Sequence, residues 1–201
     1  MKFLFVLLSI ITTYNHGTYE SVCTVVVDAP QENVNELVDK FVYALQTDIK
    51  QLFTWAFEGT DDKGDVEKDA IALRYKDTYY DPETHYGRLL VDVIVPGLHT
   101  FKNMTIETTL SDTVVPPSRV ARLDIDYSGN LLKMAYGTFT VTPITEQKTI
   151  LSLDMVVRFG FFANLFVTRK VYKNVIEWRL EKIVDNIKTA AEKNYLQGTG
   201  S

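Results

Sequence analysis

The sequence predicts an α+β fold in which a curved antiparallel sheet is wrapped around one long C-terminal helix. Two observations lead to this prediction. Between residues 70 and 159, apolar and polar side chains alternate with a period of two, and turn residues interrupt the alternation at short intervals. After Gly160, apolar residues recur at helical spacing as far as about Asn194. The apolar face of such a sheet needs a cover, and this helix is the only large one that the sequence predicts.

Composition limits the class of protein. The chain has 201 residues, of which 46% are hydrophobic and 23% charged, and this balance is typical of one globular domain with a hydrophobic core. The formal net charge of -5 argues against nucleic acid as a partner. Cys23 is the only cysteine, so an intrachain disulfide and a zinc site built from cysteines alone are excluded.

The first residues are similar to a secretory signal. In Met1–Ile11 a lysine precedes a run that is apolar except for Ser9, and the run is too short to span a bilayer. We expect residues 1–18 to be a signal peptide or N-terminal tether. If this segment is a signal peptide, we expect the protein to be exported, to the periplasm or out of the cell. Otherwise we expect it to be cytoplasmic. The alternative is a β-strand at the edge of the sheet. Residues 19–195 form the single predicted domain, and residues 196–201 a flexible tail.

One strand and two short helices are predicted next. Glu20–Asp28 is rich in β-branched residues, which predicts a strand, and it stops at Ala29-Pro30, where the proline biases the residue before it away from helix. Pro30 suits the first turn of a helix, and we expect Asp28 to cap that helix. Apolar residues at three- and four-residue spacing extend it over Gln31–Gln46, and a second helix is predicted over Asp48–Phe57.

Six further strands follow an acidic surface loop at Glu58–Lys68. Proline, glycine and asparagine turns separate the strands, and because the connections are short, successive strands are expected to pair in antiparallel fashion. The predicted strand ranges are 70–76, 86–95, 100–110, 119–127, 131–142 and 149–159.

Alternation also assigns side chains to the two faces of the sheet. The inward positions are Leu89, Val91, Val93, Val95, Ala121, Leu123, Ile125, Tyr127, Leu151, Leu153, Met155 and Val157. The outward positions are Arg88, Asp92, Arg122, Asp124, Asp126, Ser152, Asp154 and Arg158. One face of the sheet is therefore expected to be apolar and the other to face water.

With these elements in place, the chain resembles the SRPBCC or helix-grip superfamily, which includes START domains, polyketide cyclases and birch-pollen allergens. The resemblance covers about Ser21–Lys193 and rests on the order of elements, the strand that runs directly into Asp28-Ala29-Pro30, and the terminal helix Leu180–Lys193. It implies a seven-stranded antiparallel sheet that grips the C-terminal helix. Between them it implies a deep cavity for a lipid, sterol, polyketide or similar apolar molecule. Function varies widely within this fold, so the fold does not assign an activity.

Motifs of several enzyme classes are missing from the sequence. It has no G-x-S-x-G, no phosphate-binding P-loop and no dinucleotide fingerprint, so no cofactor is predicted. His16, His85 and His99 fall in predicted loops and lack metal-ligand spacing. Neither a serine triad nor a metal site is therefore expected, and no catalytic residue is assigned.

Two aromatic segments fit the border of a cavity. Tyr75, Tyr79, Tyr80 and Tyr86 cluster around one strand connection, where they suit a cavity mouth, a partner surface or a cover for the end of the sheet. The start of the last helix, from Phe159 to Phe166, is apolar on nearly all sides. This segment fits either a gate at the cavity entrance or ordinary core packing.

We predict that the protein binds or carries an apolar small molecule, with no nucleic acid partner and no stable membrane span. One alternative is a polyketide cyclase or aromatase-like enzyme in which Tyr127 or Tyr136 orients a reactive chain. The other is an interaction protein whose own aromatic side chains fill the cavity. The residues predicted to line the cavity are Tyr75, Val91, Val93, Met104, Leu123, Tyr127, Leu151, Leu153, Met155, Phe162, Phe166 and Ile176.

Overall fold

The computed structural model describes residues 8–48, 51–52, 54–56, 58, 72–95, 99–165 and 167–199. The strands are β1 (Ser9–Asn15), β2 (Thr18–Val27), β3 (Ala72–Asp81), β4 (Tyr86–Val95), β5 (His99–Val115), β6 (Ser118–Tyr127), β7 (Leu132–Thr145) and β8 (Lys148–Phe159). The helices are α1 (Gln31–Thr47), α2 (Phe161–Asn164), α3 (Arg169–Val171), a π-helical turn (Tyr172–Glu177) and α4 (Trp178–Thr199).

The eight described strands form one antiparallel sheet in the order β1-β2-β8-β7-β6-β5-β4-β3. The predicted α+β class, with a sheet and a long C-terminal helix, is confirmed. The sheet has eight strands rather than the seven expected, because Ser9–Asn15 pairs with β2. His16 and Gly17 join these two strands, and both have a positive φ, as a tight hairpin turn requires. Within residues 1–18, the structure thus shows the edge strand that was the alternative to a signal peptide.

Helix α1 begins as predicted, but Asp28 does not cap it. Pro30 is the N-cap residue, and no side chain caps the helix. The Asp28 carboxylate instead accepts a hydrogen bond from the ammonium group of Lys148, and the Asp28 backbone N–H donates to Glu192 Oε1 at 2.8 Å. The β2–α1 junction is therefore tied to β8 and to α4. The predicted second helix and acidic loop fall largely outside the described residues, although Gln51 and Leu52 are helical.

The predicted last helix is interrupted. Leu165 lies in a turn, and Val167 and Thr168 are not helical. The Thr168 hydroxyl accepts the Val171 backbone N–H at 3.3 Å, which starts a new helix. The π-helical turn then places the ring of Tyr172 on that of Tyr19, with ring centroids 4.0 Å apart. At the far end, α4 continues to Thr199, so residues 196–199 are helical rather than a flexible tail.

The inward strand positions form the core, largely as the alternation predicts. Leu89, Val91, Val93, Leu151 and Leu153 are buried, and Leu151 and Leu153 pack with α1 and α4.

One outward position departs from the pattern, because Asp92 is buried rather than facing water. Its carboxylate accepts hydrogen bonds from Lys76 Nζ and from the Asn103 backbone N–H at 2.9 Å, and these groups cover it. The same partners, Lys76 first, lower the pKa of Asp92. Satisfied bonds of this kind explain why a carboxylate is tolerated there.

Candidate functional site

A cavity of about 160 Å³ lies between α1 and the inner face of β3, β4, β5 and β6. We call it the inner cavity. It is lined by Leu45, Gln46, Tyr75, Leu89, Ile106, Thr108, Leu123 and Ile125. Six of these eight side chains are hydrophobic, and none carries a formal charge at neutral pH.

The inner cavity exists because the helices cover the two halves of the sheet unequally. Helix α4 packs against β2, β8 and α1, whereas α1 reaches β3 and β4. The buried side chains accordingly form three separate clusters, and the residues between them are only partly buried. Tyr75 and Ile125 each pack against two of these clusters and share one of them, and both line the cavity.

Two polar side chains in the lining have no hydrogen-bond partner among the described residues. Gln46, near the end of α1, is 2% exposed, and both its amide nitrogen and its carbonyl oxygen are unpaired. Thr108 on β5 is 3% exposed, and its hydroxyl is also unpaired. Buried polar groups are normally hydrogen-bonded, and leaving one unpaired destabilises a protein by about 1–3 kcal/mol.

Gly87 keeps this polar part of the wall open. It is the cross-strand partner of Thr108, and a Cβ atom at Gly87 would lie 2.6 Å from Thr108 Oγ1 and 3.6 Å from Gln46 Cγ. A Cβ atom at this position would therefore clash with the Thr108 hydroxyl and touch the Gln46 side chain at ordinary contact distance. Glycine lets the Thr108 hydroxyl lie close to the backbone of β4.

Tyr75 is the one titratable residue in the inner-cavity lining. Burial raises its pKa, against an opposing effect from the charge of Arg179. The phenol therefore stays protonated at neutral pH and cannot act as a base there.

A second space, of about 190 Å³, adjoins the first, and we call it the outer groove. Its lining is more polar and consists of Asp39, Val42, Tyr43, Gln46, Tyr80, Leu110, Asp112, Arg119 and Ala121. Arg119 forms ion pairs with Asp112, at 2.5 Å, and with Asp39. Gln46 lines both spaces, so it lies at the boundary between the inner cavity and the outer groove.

The structure brings together only part of the predicted cavity lining. Tyr75 and Leu123 line the inner cavity. Val91 and Val93 are fully buried beside Leu89 and Ile106, and Met104 packs against that cluster. Leu151 and Leu153 belong to the core under the helices, and Met155 and Ile176 are partly buried between two clusters. Phe166 lies outside the described residues, and Phe162 lies in α2 with its side chain outside them.

Two predicted tyrosine positions do not face the inner cavity. Tyr127 is 53% exposed, because β6 has an additional residue between the pairs Thr108↔Ile125 and Glu107↔Tyr127, and this bulge ends the alternation. Tyr136 lies on the outer face, where the guanidinium of Arg122 is 3.8 Å from its ring centroid. Neither tyrosine can therefore orient a chain inside the inner cavity in this structure.

The predicted gate region is partly described. Phe161 and Leu165 are exposed, whereas Ala163 and Val167 are buried against Tyr19 and Phe159. Part of this segment therefore packs in the core, as one of the two predicted roles requires, and Phe161 and Leu165 lie on the surface. Its function as a gate stays a prediction.

The described residues contain no group of three or more histidine, cysteine, aspartate or glutamate side chains able to hold a metal ion. His85 lies in a turn as predicted, with its Nδ1 atom 3.1 Å from the Tyr80 hydroxyl. His99 is the first residue of β5 rather than part of a loop. No helix in the described ranges is long and apolar enough to cross a membrane.

Comparison with known proteins gives a likeness of fold. No protein-family model and no curated protein matches the sequence. The Zhui aromatase/cyclase from Streptomyces sp. R1128 superimposes with a TM-score of 0.56 at 15% identity, covering 92% of this chain and 99% of that one. A START superfamily protein from Mycobacterium smegmatis superimposes with a TM-score of 0.46 at 17% identity, covering 89% of this chain and 97% of that one. Norcoclaurine synthase from Thalictrum flavum superimposes with a TM-score of 0.47 at 14% identity, covering 89% of this chain and 86% of that one.

The match to the aromatase/cyclase confirms the helix-grip fold that the sequence resemblance implied. At 15% identity it shows the architecture of the chain and does not transfer a reaction.

Proposed function

We propose that this helix-grip protein binds or carries an apolar small molecule in the inner cavity. The observation that supports this most directly is the composition of the lining, in which hydrophobic side chains surround two buried polar groups without partners in the described chain. Small-molecule sites typically combine an apolar wall with a few polar groups that set the orientation of the ligand.

The volume of the inner cavity limits what it accepts. An apolar cavity of about 150 Å³ in another protein binds benzene, so the inner cavity, at about 160 Å³, fits a compact group about the size of one ring. A longer lipid, sterol or polyketide would extend past Gln46 into the outer groove. We therefore propose that a ring-sized apolar group is the part of the ligand that occupies the inner cavity.

The cyclase alternative requires an acid or base beside the ligand. Tyr75 is the titratable residue of the lining, and its raised pKa makes it a hydrogen-bond donor rather than a base at neutral pH. The interaction-protein alternative requires a filled cavity, and the space of about 160 Å³ speaks against it. Binding without catalysis is the function that these observations support best.

Export is a further part of the proposal, because of the charged and apolar start of Met1–Ile11. Removal of residues 1–18 would take away β1 and leave β2 as the edge of the sheet, since β1 pairs only with β2. Exposed edge strands readily pair with other chains, so the extent of processing bears directly on self-association.

The proposed binding is tested with cumene, an apolar single-ring probe, by isothermal titration and thermal melting. A ligand of the native state raises the melting temperature. Leu123→Trp places a larger side chain in the inner cavity and is expected to abolish the effect. Val22→Trp, on the exposed outer face of β2, is the matched control and should bind as the wild type does. Failure of the wild-type protein to bind cumene, or undiminished binding by folded Leu123→Trp, would overturn the proposal.

A further inference from the structure

We infer that the ligand of the inner cavity is a neutral, ring-sized apolar compound that carries an amide-like edge, with a hydrogen-bond donor and an acceptor side by side. This inference rests on the proposed binding function and names the chemical class of the ligand. It follows from the two unpaired polar side chains of the lining, Gln46 and Thr108.

Gln46 supplies the donor and the acceptor. A carboxamide has two N–H donors on one atom and two acceptor sites on the other, and both Gln46 atoms are buried without a partner in the described chain. Another amide, a lactam or an imide presents the complementary pattern, in which its C=O accepts from Gln46 Nε2 and its N–H donates to Gln46 Oε1. A hydrocarbon ligand would leave both groups unpaired, at continued cost in stability.

Thr108 adds a third hydrogen-bonding group to the same wall. Its hydroxyl can donate or accept, and both it and the Gln46 side chain lie over Gly87. The polar groups therefore lie together on one side of the cavity, whereas Leu89, Ile106 and Ile125 are hydrophobic. A ligand with a polar edge and an apolar ring matches this division.

The ligand must also be neutral. None of the described residues that line the inner cavity is ionised, and in the adjacent groove Arg119 is already paired with both Asp39 and Asp112. A charged group in the inner cavity would lose hydration with no ionised side chain in the described lining to compensate it, which is strongly unfavourable. The charge of Arg179, which acts on Tyr75, lies outside that lining. A carboxylate of the same size and shape is therefore expected to be rejected.

A structural role does not account for Gln46. Helix α1 contains one other glutamine, Gln31, which is half-buried. Its Nε2 donates to the carbonyl oxygens of Pro117 and Val141, each at 3.1 Å. Gln46 makes no such bond in the described chain. The amide oxygen of Asn35 and the indole N–H of Trp55 are also unpaired there, but neither residue lines the inner cavity or the outer groove.

The test uses three probes with the same number of heavy atoms: cumene, benzamide and benzoate. Their dissociation constants are measured by isothermal titration on wild-type protein and on Gln46→Met. We expect the ratio of benzamide affinity to cumene affinity to fall by about ten-fold in Gln46→Met, since the variant cannot make the amide hydrogen bonds. Cumene should bind both proteins, and benzoate neither. Thr108→Val is the second variant, with a smaller change expected in the same direction.

Stability of the ligand-free proteins gives an independent readout. Gln46→Met and Thr108→Val remove unpaired polar atoms and are expected to raise the melting temperature. The matched controls Gln31→Met and Thr149→Val remove satisfied hydrogen bonds, the latter from Thr149 Oγ1 to the Ala29 carbonyl at 2.9 Å, and should lower it.

The outcomes separate this inference from the proposed function. If no probe binds the wild type, the binding function itself fails. If cumene binds but the benzamide preference is the same in the wild type and in both cavity variants, the amide class is wrong and the binding function stands. Tighter binding of benzoate than of benzamide, or a loss of stability in Gln46→Met equal to that in Gln31→Met, would also overturn the inference.

Discussion

Leu180→Ala tests whether α4 is held against the sheet by burial of its apolar face. Leu180 is 5% exposed and lies in the core cluster that joins α1, β2, β8 and α4. The substitution removes three carbon groups, each worth about 0.8 kcal/mol on burial, so loss of transfer free energy alone costs about 2.4 kcal/mol. The space left behind adds to this, and the total destabilisation is expected to be about 3–5 kcal/mol.

The measurement is urea denaturation followed by circular dichroism, with the free energy of unfolding taken from the midpoint and slope. Leu196→Ala is the matched control, because it makes the same chemical change on the same helix at a residue that is 68% exposed. It should alter stability by less than about 0.5 kcal/mol. Equal effects of the two substitutions would show that this face of α4 is not buried. Leu180 does not line the inner cavity, so folded Leu180→Ala should still bind cumene.

Three more predictions concern other parts of the chain. Gly160→Ala should destabilise strongly, because its Cβ would lie 1.9 Å from the Asn130 carbonyl oxygen; a wild-type urea midpoint would contradict this close approach. Burial first, opposed by the Ser21 hydrogen bond, raises the pKa of Tyr172 to about 12. The stability that the buried, protonated Tyr172 phenol gives is therefore complete below about pH 10, the pKa of tyrosine in the unfolded chain, and is lost as pH rises from about 10 to 12. The free energy of unfolding of Tyr172→Phe should fall less steeply over that pH range than that of the wild type. Cell fractionation with N-terminal sequencing tests export, and an intact Met1 in cytoplasmic protein would refute it.

Most of the sheet was predictable because its strands alternate strongly between apolar and polar residues, and because β3 to β8 each pair with strands next to them in the sequence. Alternation over 151–157 and 89–93 placed Leu151, Leu153, Leu89, Val91 and Val93 in the core, where the structure has them. Alternation fails where a bulge changes the register. Tyr127 follows an extra residue in β6, and a single sequence contains no signal for that residue because the partner strand determines the register.

Tertiary partners explain the errors at chain junctions. Asp28 has the right residue type and position for a helix cap, but Lys148, far away in sequence, binds its carboxylate. Similarly, Asp92 alternates as an outward residue, yet Lys76 and Asn103 cover it. In each case the competing interaction comes from another strand, and local propensity does not include it.

The position of the cavity could be predicted only in part. The sequence indicated a space beside the long helix, whereas the inner cavity lies between α1 and the inner face of β3–β6, away from the strands β2 and β8 against which α4 mainly packs. The sequence does carry one signal for Gln46, which follows Val42 by four residues and so continues the apolar face of α1. Thr108 likewise occupies an inward position between Ile106 and Leu110. Polar residues at otherwise apolar positions of the adjoining elements α1 and β5 are the sequence pattern that would have indicated this site.

These two positions show how folding and binding place different demands on the same elements. Folding alone favours a hydrophobic side chain at an enclosed position, or a polar one with a partner, as Thr149 has in the Ala29 carbonyl. Gln46 and Thr108 meet neither condition, and unlike Asn35 and Trp55, which also have an unpaired buried atom, both line the inner cavity. Because natural proteins keep such local conflicts mainly at functional sites, the pair supports the proposal that the inner cavity is the binding site. Under the proposed function, α4 serves mainly to stabilise the sheet, and Gln46 of α1 is the group that we expect to recognise the ligand.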